Sequence, residues 1–439
     1  MTALTSLPAR ELARLVASAE VSAAEVVDAH LRRIEAAGGA LNALVALDAE
    51  RAREHATRAD AARVRDRKAA GPLDGVPFTV KDTIAAAGLP MVMGAEERAG
   101  LPPAETDAAV VARMRRAGAI LLGKSNCPPY GGGIETDNPV HGRTANPFDL
   151  GLSAGGSSGG EAEAIAAGLS ACGLGTDSGA SVRLPAHCCG VAALKPSAGR
   201  VPLTGVLDDE GPLGTLGDPR TQVGPLARTV EDVALLLRDI AGPDGADAGL
   251  APVPLGDPGK AELEGARVAV QLDNGLAPPT AETAAAVEAA AAALAAAGCT
   301  CEPGAIPAGG HELTIEVWAS YGGAIDSAGL WRLLRRWDAF RSEMLGFAAR
   351  HDLHLSPVFA GPALPHGTMK VPGEIDPTSW TTPHSLTGWP AATVRAGTSP
   401  EGLPIGVQVV AGPWRDDLAL AAALRIEREL GPWPGPPDR

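Results

Sequence analysis

Aromatic residues make up only 3% of the 439-residue chain, and cysteine occurs six times. With so few rings, no aromatic cage is visible. The cysteines (Cys127, Cys172, Cys188, Cys189, Cys299 and Cys301) follow no disulfide or zinc-ribbon spacing, so they read as reduced, mostly buried thiols. Basic residues are also short: 37 Lys and Arg against 52 Asp and Glu leave a formal net charge of −15 and a pI near 5.1. A surface of that sign repels polyanions, which argues against nucleic acid or an anionic membrane as partner. No apolar run reaches the ~20 residues of a membrane span, and the opening MTALTSLPARELARLV lacks the basic and apolar regions of a secretory signal. These shortages point to a cytoplasmic protein that acts on a small molecule without metal or cofactor, with a homodimer as its possible assembly.

What is present is a chain 45% apolar and 20% charged, enough for one large core. Residues 1–65 read as a helical lead-in, with Ser22 as a helix N-cap. Residues 66–241 carry the motifs, 242–262 are linker-like, and 263–439 complete the same domain. Strands are expected in LDGVPFTVKDTI (73–84), in AILL after a helix at 106–116, at Val191–Leu194 and around Val201, and in ARVAVQL, LHLSPVF, AATVRA and PIGVQVVAG. Helices are expected from Thr229, over 281–297, through the Trp-bearing 312–347, and at 415–430. Such alternation predicts an α/β fold: a single α/β/α layered domain with a mixed, mainly parallel sheet.

The unusual stretch is Gly155 to Ala186, GGSSGGEAEAIAAGLSACGLGTDSGASVRLPA. Glycine there allows a ligand to approach main-chain N–H groups, at a cost of about 1 kcal/mol wherever the segment is helical. It divides into a Ser-Ser pair among glycines, a helix-like segment, a short apolar strand and a second serine loop, with Ser157 and Ser181 each beside a regular element. Two familiar patterns also occur and fail on context. Gly118 to Ser125 satisfies GxxxxGK[ST], but the residues between the glycines are themselves a strand and Asn126-Cys127-Pro128-Pro129 follows, where no helix starts. Gly155-Gly156-Ser157-Ser158-Gly159 fits G-x-S-x-G, but no buried strand leads into it. His187, His351, His354, His366 and His384 lie in structural contexts, and no S-x-x-K is present. Lys81, after Pro-Phe-Thr-Val, reads from pattern alone as either a snorkelling edge residue or a buried amine.

The run GGSSGG followed by Gly175-Thr176-Asp177-Ser178-Gly179-Ala180-Ser181-Val182-Arg183-Leu184-Pro185-Ala186 resembles the signature of the amidase signature family of serine hydrolases. GVPFTVKD matches the family's lysine-bearing segment, and the loop Tyr130 to Asn138 with GRTANPFD matches its acyl-pocket segments. The resemblance implies a large mixed sheet covered by helices and a small-molecule carboxamide substrate. It implies Ser181 as nucleophile, Ser157 as proton relay and Lys81 as base. N–H groups of Ser178, Gly179, Ala180 and Ser181 would form the oxyanion hole, and Gly131, Gly132 and Gly133 a wall of the pocket. Ala180 departs from the glycine usual there, and a methyl would cost roughly 1–2 kcal/mol if the position needs φ > 0. Acyl transfer, a glutaminase subunit of a tRNA-dependent amidotransferase, and a weakened member acting as a binding protein are the other readings. Trp318, Trp331, Trp380 and Trp389 are expected in the core, with a place in the acyl pocket as the alternative.

Overall fold

Short runs of apolar and β-branched residues form the eleven strands of one sheet. They are β1 (Leu44–Leu47), β2 (Pro77–Lys81), β3 (Ile120–Ser125), β4 (Cys172–Asp177), β5 (Ala192–Lys195), β6 (Gln222–Ala227), β7 (Arg267–Val270), β8 (Thr300–Pro303), β9 (Leu353–Pro357), β10 (Ala391–Thr398) and β11 (Pro404–Ala411). The computed structural model describes residues 4–66, 70–206, 220–322, 325–369, 378–431 and 434–437. The strand order is β1-β3-β2-β4-β6-β5-β10-β11-β9-β7-β8. Strands β2 to β6, β9 and β11 are buried along their whole length, as expected of a sheet covered on both faces by helices. Among the described residues no helix is long and apolar enough to cross a membrane.

The sheet is mixed, as the sequence suggests, but the expected parallel majority is not found. Four pairings are parallel (β2 with β3 and β4, β7 with β8 and β9) and the other six are antiparallel. The reason lies in the connections. Parallel neighbours need a crossover, which the helix Ala109–Arg116 supplies between β2 and β3, and Ala281–Ala296 between β7 and β8. β10 and β11 are joined by a turn of a few residues, which only antiparallel partners can use. A strand around Val201 is also absent: Gly199 has φ +75°, Pro202 lacks an N–H, and Val206 makes only an isolated bridge to Ile84.

Local signals place the helices well. Ser22 and Glu25 form a reciprocal capping box at the start of Ala23–Leu41, and Thr229 caps Val230–Ile240. The Asp232 carboxylate accepts the N–H groups of Ala9 and Arg10 at 2.8 and 3.0 Å, which docks the first helix, Ala9–Ala17, onto the body. The expected helical stretch 312–347 is carried by two helices, Gly310–Gly322 and Ser327–Ala348, the second capped by Asp326. Gly118–Ser125 has the predicted non-phosphate form, since β3 runs straight through Gly123 and Lys124.

Asp416, at the start of the helix Asp416–Leu430, joins distant segments. Its carboxylate accepts the Ser197 N–H and hydroxyl at 2.8 and 2.7 Å and pairs with the buried Arg200 guanidinium at 3.1 Å. Asp416→Ala leaves Arg200 charged and unpaired in the interior, so it should destabilise the fold by ~3–5 kcal/mol, read as a lower urea midpoint.

Candidate active site

Parallel pairing of β2 with β3 and β4 brings three strand ends out at one edge. Lys81 is the last residue of β2 and is fully buried. Its Nζ donates to Ser157 Oγ at 2.6 Å and to Thr176 Oγ1, on β4, at 2.8 Å. Burial lowers its pKa to about 8, against the upward pull of Cys127, Asp177 and Glu161. Glu161, also buried, accepts the Ser125 hydroxyl at 2.6 Å and the Thr79 hydroxyl, and burial pushes its carboxyl up to about 7. Of the two forms open to Lys81, the fold selects the buried amine.

The glycines around Ser157 are required by close approach. A Cβ on Gly156 would lie 2.6 Å from Glu135 N, and the Gly156–Ser157 peptide is cis. Thr136 clamps this loop by donating to the Gly155 carbonyl at 2.9 Å and accepting the Gly159 N–H at 3.0 Å. The next residue joins the two serine loops: Ser158 N–H donates to the Ser181 carbonyl at 3.0 Å. Ser157 and Lys81 lie inside, whereas Ser181 is partly exposed. No histidine hydrogen-bonds to either serine among the described residues. His187, for example, is held by the Gly361 carbonyl and the Gly406 N–H.

The loop carrying Ser181 is shaped from below by a buried ion pair. The Arg183 guanidinium meets both Asp177 oxygens at 2.9 and 3.0 Å and donates to the Gly179 carbonyl at 2.9 Å and Ser385 Oγ at 2.8 Å. Burial alone would raise the Asp177 pKa, but the Arg183 charge holds it below the ordinary carboxylate value. The carboxylate also accepts the Val182 and Arg183 N–H groups. The Gly179 and Ala180 carbonyls are thereby engaged, the latter by Leu184 N–H at 2.7 Å. Among the described residues, the N–H groups of Gly179, Ala180 and Ser181 meet no acceptor. Three successive donors in one tight loop suit an oxyanion.

The remaining predicted residues divide. Gly131, at φ +70°, lies over the buried pair, where a Cβ would be 3.5 Å from Ser157 Oγ and 3.6 Å from Lys81 Nζ. Gly132 and Gly133 instead approach Pro129 and Pro128. Ser178 Oγ is hydrogen-bonded to Thr221 Oγ1 at 2.7 Å. Ala180 does not have positive φ, so the strain expected of its methyl does not arise; the methyl packs in an apolar cluster with Val182 and Leu184. Among the tryptophans, Trp380 and Trp389 are core, but Trp331 is exposed, contrary to expectation. Trp318, on the helix Gly310–Gly322, covers the serine loop so closely that a Cβ on Gly179 would lie 2.6 Å from its ring.

Sequence reasoning missed Thr176, Thr136, Asp177 and Arg183 as site builders. All four lie within the recognised motifs, and a side-chain hydrogen-bonding role was open to each. Trp318 is one of four tryptophans expected in the core with the acyl pocket as the alternative, and the structure places it over the serine loop. Gly179→Ala should push the Trp318 ring aside and destabilise the protein by ~1–3 kcal/mol, read as a lower melting temperature with altered tryptophan fluorescence.

Known proteins share both the sequence pattern and the fold that build this site. The family model described as Amidase matches residues 25–327 and 323–420. The chain is 35% identical over 504 residues to a glutamyl-tRNA(Gln) amidotransferase subunit of Anaeromyxobacter sp. (strain K), covering 99% of this chain and 100% of that protein. It is 34% identical over 472 residues to an acylamidase of Rhodococcus erythropolis, covering 97% and 96% of the two. Its fold is similar to that of a bacterial aryl acylamidase of the amidase signature enzymes, with a TM-score of 0.84, 28% identity, and coverage of 98% and 97%. The chain therefore belongs to the amidase family, whose enzymes open amide bonds by hydrolysis or by amido transfer.

Proposed function

We propose that this protein is a serine amidase that hydrolyses the C–N bond of a small-molecule carboxamide through an acyl-enzyme on Ser181. The observation that carries the reading is the 2.6 Å hydrogen bond between the buried Lys81 amine and Ser157, in a loop whose next residue is tied to Ser181. A serine hydroxyl needs a base to act as nucleophile, and an amine with its pKa lowered to about 8 is partly neutral near neutral pH. Ser181 Oγ attacks the carbonyl carbon while its proton passes to Ser157, and the Ser157 proton passes to Lys81. The N–H groups of Gly179, Ala180 and Ser181, with Ser178, receive the developing negative charge, each donor being worth roughly 3 kcal/mol in the transition state. As the C–N bond breaks, Ser157 protonates the departing nitrogen and regains a proton from the Lys81 ammonium. Water, deprotonated along the same path, then releases the acid and restores Ser181.

A second reading has a specific observation behind it. The similarity to an amidotransferase component runs the full length of that protein, so the same acyl-enzyme could release ammonia for a partner. Co-purification with other subunits and glutamine-dependent ammonia release would favour it. Free hydrolysis of simple aryl or aliphatic amides by the isolated chain favours the first.

Ser181→Ala should abolish labelling by a fluorophosphonate and lower kcat/KM more than about a thousandfold. Labelling that survives this substitution would remove Ser181 from the role. Because the neutral amine is the active form, kcat/KM should fall about tenfold per pH unit below about 8 and level off above it. A profile flat from pH 6 to 9 would exclude Lys81 as base.

A further inference from the structure

The helix Ser327–Ala348 has three faces where a surface helix needs two. At ~100° per residue, one face is the stripe Leu333, Trp337, Phe340, Met344 and Phe347, which is buried in the body. The opposite flank, with Arg332, Arg335, Arg336 and Glu343, is polar. Between them runs a second stripe at i, i+3, i+4 spacing: Trp331, Leu334, Asp338, Arg341, Leu345 and Ala348. Trp331 is 67% and Leu345 52% exposed, and both Asp338 and Arg341 are exposed. Within the helix these two charges are only 3.8 Å apart, a loose pair in solvent.

The stripe is complementary to itself when reversed. If an identical helix lies antiparallel against it, one two-fold register places Leu334 on Leu345, Asp338 on Arg341 and Trp331 on Ala348, and each contact occurs twice. Such isologous pairing is the commonest way for identical chains to associate. Two chains of net charge −15 repel, so the register that sets Asp338 against Arg341 twice supplies the charge complementarity the pairing needs. A groove of about 220 Å³ opens beside Arg341 and Leu345, floored by Trp389 and Trp414, at the end where Leu334 and Trp331 of the second copy arrive. We propose that the protein forms a two-fold homodimer through antiparallel packing of the helix Ser327–Ala348 on its own copy, with Asp338 and Arg341 setting the register.

The test is sedimentation velocity of the full chain over a range of concentrations. The native protein should be a dimer that dissociates on dilution. Leu334→Glu and Trp331→Glu should each weaken it more than tenfold while circular dichroism stays unchanged, because both side chains are exposed. The charge swap gives an arm that does not depend on apolar truncation. Asp338→Arg alone and Arg341→Asp alone should each weaken the dimer, and the two together should restore it. A native chain that stays monomeric, or a dimer indifferent to Leu334→Glu and to the charge swaps, overturns the proposal. So does a monomer that pellets with phosphatidylcholine–phosphatidylglycerol vesicles and loses that ability with Trp331→Glu, since the face then serves a lipid surface.

Discussion

The site depends on keeping the Lys81 amine out of water without giving it a carboxylate. Lys81 and Lys124 lie on adjacent parallel strands, one residue apart in register, and both are fully buried. Lys124 has an ion-pair partner, Asp82, at 2.9 Å. Lys81 has two hydroxyls, on Ser157 and Thr176. The nearby carboxyl, Glu161, is itself pushed towards neutrality and turned to Ser125 and Thr79, so it does not hold the lysine charged. Burial also lowers Lys195 to about 7, but among the described residues its amine donates only to the Pro196 carbonyl. Contact with a hydroxyl is what distinguishes Lys81.

A second constraint acts from below the serine loop. The Asp177–Arg183 pair is wholly buried and costly to leave unpaired, so it holds its geometry. It engages the Gly179 carbonyl and the Val182 and Arg183 N–H groups, and among the described residues the intervening Ala180 and Ser181 N–H groups meet no acceptor. Packing from above completes the loop, because Trp318 can cover it only where Gly179 has no side chain. Backbone direction, ion pairing and side-chain packing converge on these few residues. The Ala180 methyl causes no conflict, since it extends the apolar cluster beneath.

Much of this was legible from local signals. Ser22 and Thr229 cap the helices they were expected to start, because capping is settled by a few neighbouring residues. The GxxxxGK[ST] match was rightly set aside, because a strand between its glycines cannot also be an anion-binding loop. Features that depend on distant partners were not legible. The antiparallel majority of the sheet reflects how β4, β6, β5 and β10 are threaded, and strand patterns carry no direction. Val201 is β-branched, but Gly199 and Pro202 beside it win. Trp331 is apolar yet exposed, because the buried stripe of its helix begins at Leu333.

The sequence alone determined the family, the layered α/β class and the residues that could supply a hydroxyl, an amine and a row of N–H donors, since these lie in contiguous motifs. Only the tertiary structure decided that Lys81 is a buried amine rather than an edge residue, that Gly131 and not Gly132 or Gly133 lies over it, and that Trp318 covers the serine loop. The physical reason is distance along the chain. Lys81 meets Ser157 76 residues away and Thr176 95 residues away, and the solvent exposure and pKa of a group follow from neighbours that only the folded chain brings together.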